Sequence, residues 1–218
     1  LAYLIGHRDF YGLNFMVNHN VLVPRQETEL LVETVLDFVN SDQREIVDVG
    51  TGSGCIGIAI AVSLNNANIT AIDISDKALD VARQNCQYHS VGDRVALKKG
   101  NLLNVFSGLA DVIVANLPYI KSDEIQYLQP EVRCEPRLAL DGEEDGTGGD
   151  NYSVEFNTGF VGDFCRGTNN SFAWCNCGAI SCTNACGVDG VYISDGCWGS
   201  KSGCWKFFNF HICFRCFS

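Results

Sequence analysis

Asp48-Val49-Gly50-Thr51-Gly52-Ser53-Gly54 follows a short apolar run, Glu45-Ile46-Val47, and leads into Cys55-Ile56-Gly57-Ile58-Ala59-Ile60-Ala61. The first run reads as a buried strand and the last as a helix, with a glycine turn between them. Strand, glycine turn and helix form the opening unit of a nucleotide-binding α/β domain. Glycine permits the tight turn and lets backbone N–H groups approach a ligand closely. The helix N-terminus behind it adds partial positive charge. An ordinary βα loop that happens to be rich in glycine would look similar, and several nucleotide ligands share such loops. Here the pattern is D-x-G-x-G-x-G, its third Gly one position earlier than in G-x-G-x-x-G, and the loop holds no Gly-Lys-Ser/Thr. Both features favour S-adenosylmethionine, which has no pyrophosphate to cradle.

Working outward, the next strand is expected at Asn68–Ile72 and ends at Asp73. A carboxylate about 20 residues beyond a glycine loop suits a ribose, whose two hydroxyls it can accept; the competing reading is a strand-end Asp capping the next turn. Ser75 is placed to cap a helix from Asp76 to about Tyr88, with Ala78, Leu79 and Ala82 inward. Val95–Lys98 reads as strand three, with Gly100-Asn101-Leu102 at its end, where an adenine would lie. Asp111–Ala115 reads as strand four and delivers Asn116-Leu117-Pro118-Tyr119 to the same edge of the sheet, where ligands of open α/β sheets bind. Upstream, Leu1–Gly12 reads as a lead-in. Asn14–Asn18 and Val21–Val23 read as a hairpin turning at His19-Asn20, and about Glu27–Asn40 as a helix with Leu30, Leu31, Val35 and Phe38 inward.

The 218 residues suffice for one good core, or for one domain with an appendage. The formal charge is −11, and all of it lies in residues 1–150, which hold 22 acidic and 11 basic side chains, against four of each in residues 151–218. So acidic a surface disfavours a nucleic-acid phosphate backbone. No apolar run approaches the ~20 residues that span a bilayer, and no signal peptide is visible. The chain begins Leu1-Ala2-Tyr3 with Met16 its only Met, which suggests a fragment lacking residues before Leu1.

Asn116-Leu117-Pro118-Tyr119 is where chemistry is expected. A planar amine or amide nitrogen is a poor nucleophile because its lone pair is delocalised. The Asn side-chain oxygen and the following backbone carbonyl can accept both of its N–H hydrogens and aim the lone pair at a sulfonium methyl. Pro118 fixes the backbone, and the Tyr119 ring packs on a flat target. Standing alone, the tetrapeptide would be a βα turn rich in Asn and Pro. It stands with Leu1–Gly6, Phe10-Tyr11-Gly12, Pro24-Arg25-Gln26-Glu27-Thr28-Glu29-Leu30, Asp48–Gly54, Asn116–Ile120 and Glu135–Gly142, in this order. Over about residues 1–150 the chain thereby resembles the peptide chain release factor glutamine methyltransferases of the HemK type.

That resemblance implies a Rossmann-like class I methyltransferase that uses S-adenosylmethionine to methylate N5 of the glutamine in the Gly-Gly-Gln motif of a release factor. A monomeric, cytoplasmic enzyme is expected, with no metal site and no membrane partner, and with nucleic acid disfavoured by the acidic charge. The cofactor would be held by Asp48, Gly50, Thr51, Gly52, Ser53, Gly54, Asp73, Asn101, Leu102 and Asn116. Asn116, Leu117, Pro118 and Tyr119 would hold the glutamine, with Asn116, Pro118 and Tyr119 catalytic. The family usually has Pro where Leu117 stands and Asp where Asn101 stands, and its helical N-terminal domain is absent before Leu1. Because N-L-P-Y also resembles the rRNA adenine dimethyltransferases, one rival is an adenine N6-methyltransferase. Another is an inactive binding module with a zinc-binding tail.

The tail is compositionally separate. Residues 151–218 contain no Leu, Pro or Gln and nine of the 12 cysteines. Cys175-x-Cys177, Cys182-x3-Cys186 and Cys213-x2-Cys216 are irregular as zinc ligands, and disulfides suit a secreted protein better than a cytosolic one. An out-of-frame translation beginning between about Asp145 and Tyr152 fits better. Val191-Tyr192-Ile193 is the best strand candidate there. The expected organisation is a lead-in and hairpin over 1–26, the cofactor-binding domain over 27–150, and the atypical tail over 151–218. The sheet is expected to be incomplete at its C-terminal strands, and the chain to fold poorly with little activity.

Overall fold

The computed structural model describes residues 1–39 and 44–144, and the backbone of five further strands within residues 153–215. In chain order the elements are α1 (Ala2–Ile5), β1 (His7–Phe10), β2 (Leu13–Met16), α2 (Glu29–Phe38), β3 (Arg44–Val49), α3 (Cys55–Ser63), β4 (Ala67–Asp73), α4 (Asp76–Tyr88), β5 (Val95–Lys99), β6 (Val112–Ala115), α5 (Pro130–Arg133), β7 (Ser153–Phe156), β8 (Phe160–Arg166), β9 (Phe172–Cys175), β10 (Ser202–Phe207) and β11 (Phe210–Arg215).

The main sheet runs β10-β11-β6-β3-β4-β5. Its four strands β6, β3, β4 and β5 are parallel, and the order reverses at β3, between β4 and β6. Val49 lies opposite both Ile72 and Ala115, and Asp73 opposite Lys99. The carboxyl ends of the four strands therefore stop on one line, and the loops after them share one crevice.

Burial follows the sequence pattern. Seven consecutive residues of α3, Cys55–Ala61, are buried, because α3 lies on the sheet with α2 and α4 packed beside it. A helix apolar all round is the form for such a place. Ile46, Ile58, Ile60 and Ile69 are among the fully buried side chains of that layer. α4 is amphipathic; Ala78, Leu79, Val81, Ala82, Asn85 and Cys86 are its buried residues, and Ser75 accepts the Ala78 N–H at 3.3 Å as N-cap.

Three expectations change. The hairpin pairs β1 with β2 and turns at Tyr11-Gly12, not at His19-Asn20. Tyr11 and Gly12 have φ of 50° and 69°, the left-handed pair that matches the twist of a tight hairpin. Val21–Val23 is then not a strand: Val21 O accepts from Tyr3 Oη at 2.6 Å, and Val23 N–H donates to Glu135 at 3.4 Å. Leu1–Gly12 is ordered as α1 and β1 rather than a plain lead-in.

A further correction concerns the sheet edge. The sheet does not stop at β6. β11 pairs antiparallel with it, Ile212 opposite Val114 and Phe214 opposite Val112, and β10 pairs with β11. Phe210, Ile212 and Phe214 alternate with His211, Cys213 and Arg215, a period of two that suits a strand. A separate sheet holds β7, β8 and β9. The candidates Val191–Ile193, Cys177, Cys182, Cys186 and Cys216 lie outside the described residues. Among the described residues no cluster of His, Cys, Asp and Glu could hold a metal ion.

Candidate active site

The glycine loop bends by placing Gly50, Gly52 and Gly54 at φ of 71°, 55° and 82°, values that only glycine adopts without strain. A Cβ at Gly54 would stand 2.8 Å from Ile58 Cδ1 and 3.3 Å from Ala82 Cβ, so this glycine also lets the loop and α4 approach. A Cβ at Gly52 would meet only Gly50 O, at 4.0 Å. The loop thus shows bare backbone to the crevice at Gly52. The N–H groups of Gly50 and Thr51 are held by Ile72 O at 2.9 and 3.0 Å, which ties the loop to β4.

Asp48 lies beneath the loop, fully buried. Its Oδ2 accepts from Thr51 Oγ1 at 2.6 Å and from Gly57 N–H at 3.1 Å, while Oδ1 has no hydrogen-bond partner among the described residues. Burial pushes its carboxyl up to about 6, against the opposing pull of those two hydrogen bonds. Any service of Asp48 to a ligand is through the shape of the loop. Thr51 and Ser53 are likewise buried.

Asp73 faces the loop from the end of β4. Its Oδ2 accepts from Gly52 N–H at 2.8 Å and its Oδ1 from Ser75 N–H at 2.9 Å. Burial raises its carboxyl above the ordinary range. Each oxygen keeps a further lone pair, so the carboxylate can still accept from two neighbouring hydroxyls. Gly100 N–H donates to Asp73 O at 3.0 Å and brings the loop after β5 alongside. There Asn101 is exposed and Leu102, half-buried, takes φ of 53°. A branched residue in the left-handed region is strained, and such strain gathers at functional sites.

On the other side of β3, Asn116, Leu117 and Pro118 are partly buried and Tyr119 is exposed. Leu117 packs against the buried cluster that includes Val49, Ile113 and Ala115; a Cβ at Gly50 would stand 3.2 Å from its Cδ2. Asn116 Nδ2 donates to Thr28 Oγ1 at 3.4 Å. The residues after the tetrapeptide are held by Glu135–Gly142: Ile120 N–H donates to Leu140 O, Gly142 N–H to Ile120 O, and Ser122 Oγ to Asp141 Oδ1. Thus Asp73, Asn101, Leu102, Asn116, Leu117, Pro118 and Tyr119 meet along one edge, with the glycine loop between the two groups.

Several residues that hold this edge were given no role from the sequence. Asn85 is fully buried; its Oδ1 accepts from Met16 N–H at 2.8 Å, and its Nδ2 donates to Met16 O at 3.0 Å and Ser53 O at 2.8 Å. The signal was a lone amide on the apolar face of α4. Arg25 pairs with Glu135 at 2.7 Å and so joins Pro24–Leu30 to Glu135–Gly142.

A nucleoside suits these groups: the half-buried backbone at Gly52 and the Asp73 carboxylate stand together at the loop, and the carboxylate keeps lone pairs for two hydroxyls. The fold is that of a class I S-adenosylmethionine-dependent methyltransferase. The model of the ribosomal protein L11 methyltransferase (PrmA) family matches residues 26–133. The catalytic domain of hMettl16, crystallised with a MAT2A 3'UTR hairpin, has the same fold at TM-score 0.50 and 19% identity, over 61% of this chain and 52% of that one. The release factor glutamine methyltransferase of Moorella thermoacetica is 45% identical over 148 residues, 67% of this chain and 52% of that protein. That of Chlorobaculum tepidum is 43% identical over 152 residues, 64% of this chain and 52% of that protein. Over about two thirds of its length, then, the chain is a relative of the release factor glutamine methyltransferases. It spans about half the length of these curated relatives.

Proposed function

We propose that the chain carries the catalytic domain of an S-adenosylmethionine-dependent methyltransferase that modifies the glutamine amide of the Gly-Gly-Gln motif in a peptide chain release factor. The observation that carries this reading is Asn116. Its side chain follows β6 at the crevice edge with Nδ2 3.4 Å from Thr28 Oγ1, and this reading assigns its Oδ1 and the backbone carbonyl of Leu117 as the acceptors. When bound, S-adenosylmethionine supplies an electrophilic methyl. Asn116 Oδ1 and the Leu117 carbonyl accept the two N–H groups of the glutamine amide and orient its lone pair. Pro118 fixes the turn, and the exposed Tyr119 ring covers the flat amide. Gly50–Gly54, Asp73, Asn101 and Leu102 are the residues that would hold the cofactor, with Asp48 bracing the loop. Relatives at 38–45% identity bear the release factor name, so the adenine alternative is not favoured. We further propose a monomeric cytoplasmic protein; among the described residues no helix is long and apolar enough to cross a membrane.

The test is calorimetric titration of S-adenosylmethionine, followed by mass spectrometry of the Gly-Gly-Gln peptide after incubation with a release factor. Asp73→Ala is expected to weaken cofactor binding. Asn116→Ala is expected to keep most of it while slowing methyl transfer on the order of 10²–10³-fold, the loss typical of removing one preorganised contact. Transfer that survives Asn116→Ala unchanged would overturn the reading.

A further inference from the structure

We infer that Asn85 is a positioning residue for the cofactor: it fixes one peptide of the glycine loop and ties cofactor affinity to the docking of the β1–β2 hairpin, a role that rests on the cofactor reading above and deepens it. Asn85 is fully buried on α4. Its three hydrogen bonds allow only one orientation of the amide. Met16 N–H can only donate, so it meets Oδ1, at 2.8 Å. The Met16 and Ser53 carbonyls can only accept, so they meet Nδ2, at 3.0 and 2.8 Å. Turned by half a rotation, the side chain would lose all three.

The consequence falls on the Ser53–Gly54 peptide. Asn85 holds its oxygen, and its N–H donates to Thr51 O at 2.8 Å. Both ends of the plane are thereby fixed. The plane follows directly on Gly52, whose N–H donates to Asp73, the carboxylate assigned to the ribose. Gly54 has φ of 82°, and a glycine turns freely. Without Asn85 the plane keeps one restraint of two, and a buried carbonyl left unpaired favours its rotation toward another partner. On the hairpin side, Asn85 takes both backbone polar groups of Met16, and His89 Nε2 lies 2.9 Å from Asn14 O. Val17 and Val21 pack with Ala78 and Val81 of the same helix. If hairpin docking favours the loop geometry that binds the cofactor, the cofactor must favour docking to the same degree.

Asn85→Leu removes the three hydrogen bonds while keeping a side chain of similar reach on a buried helix face. Calorimetric titration of S-adenosylhomocysteine into the full chain is expected to show affinity reduced on the order of 10-fold in Asn85→Leu. A second measurement needs no variant. The Val17 amide donates to Gly6 O, whereas the Met16 amide donates to Asn85. In the wild type, S-adenosylhomocysteine is therefore expected to slow hydrogen exchange at Met16 more than at Val17, and the difference should vanish in Asn85→Leu. A folded Asn85→Leu with wild-type affinity would overturn the inference, as would equal slowing of Met16 and Val17 in the wild type. An Asn85 with a merely structural role would lower the melting temperature on substitution and leave both ligand responses as they are. A wild-type chain that binds no S-adenosylhomocysteine would remove the cofactor reading and the inference with it. Binding with the stated responses but no methylation of a release factor would remove the proposed substrate alone.

Discussion

At Asp48 one carboxylate organises a whole loop, and the arrangement has a pH signature. Its carboxyl is raised to about 6 by burial, whereas in the unfolded chain it titrates near ~3.9. Between those values the folded state holds a proton that the unfolded state has released. The contribution of this group to stability is therefore full below about pH 4 and is lost as pH rises through about 6. Asp48→Asn removes the titration while keeping an acceptor for Thr51 or Gly57. Thermal melts from pH 4 to pH 7 are expected to show stability falling with pH more steeply in the wild type than in Asp48→Asn. Parallel curves would remove Asp48 from the account. The glycines nearby divide their work: Gly54 serves packing against Ile58 and Ala82, and Gly52 leaves the crevice surface bare.

Among elements, the β1–β2 hairpin matters because of what it touches. Asn85 on α4 holds both the N–H and the O of Met16 and reaches Ser53 in the glycine loop. One amide thus joins hairpin, helix and loop. Asn85→Ala would leave the Met16 N–H and the Ser53 carbonyl without this partner, a cost of about 1–3 kcal/mol for each buried group left unpaired. Urea denaturation is expected to show a loss of roughly 2–5 kcal/mol, and hydrogen exchange at Phe15 and Met16 should quicken before the strands of the parallel sheet respond. Uniform quickening through the sheet would mean that Asn85 supports the core instead of the junction. This is also where the reading of residues 14–23 failed. Asn14–Met16 can pair in either direction by pattern alone, and partners distant in sequence, Asn85 and Glu135, decide it.

For the whole molecule, the balance lies at the β6 edge. β11 gives that strand backbone partners, so His211 to Phe214 lie opposite Ala115 to Val112. Such pairing asks little of the added strand beyond β propensity, which Trp205, Phe207, Phe210, Ile212 and Phe214 supply. A chain ending at residue 150 would expose the edge of β6 and invite pairing between copies. We expect that truncation to elute at concentration-dependent, larger sizes in size exclusion with light scattering, and the 218-residue chain to remain monomeric. A truncated chain that stays monomeric and unfolds cooperatively would show the hairpin to be dispensable. The division at 26, 150 and 218, and the reading of the tail as out of frame, remain our proposals; an uninterrupted frame recurring in independent isolates would sink the second.

By itself the sequence determined the parallel strands, the glycine loop, the cap at Ser75, and the meeting of Asp73 with Asn116–Tyr119 at one edge. These follow from local signals: runs of buried apolar residues, glycines with positive φ, and acids and amides at strand ends. Tertiary structure alone decided the partner of β2, the strand that covers β6, and the contacts of Thr28, Asn85 and Glu135. Each of those depends on groups far apart in the chain whose side chains look ordinary in isolation. A hydrogen bond across 69 or 112 residues leaves no periodic trace, and a sheet edge accepts whichever strand geometry brings to it.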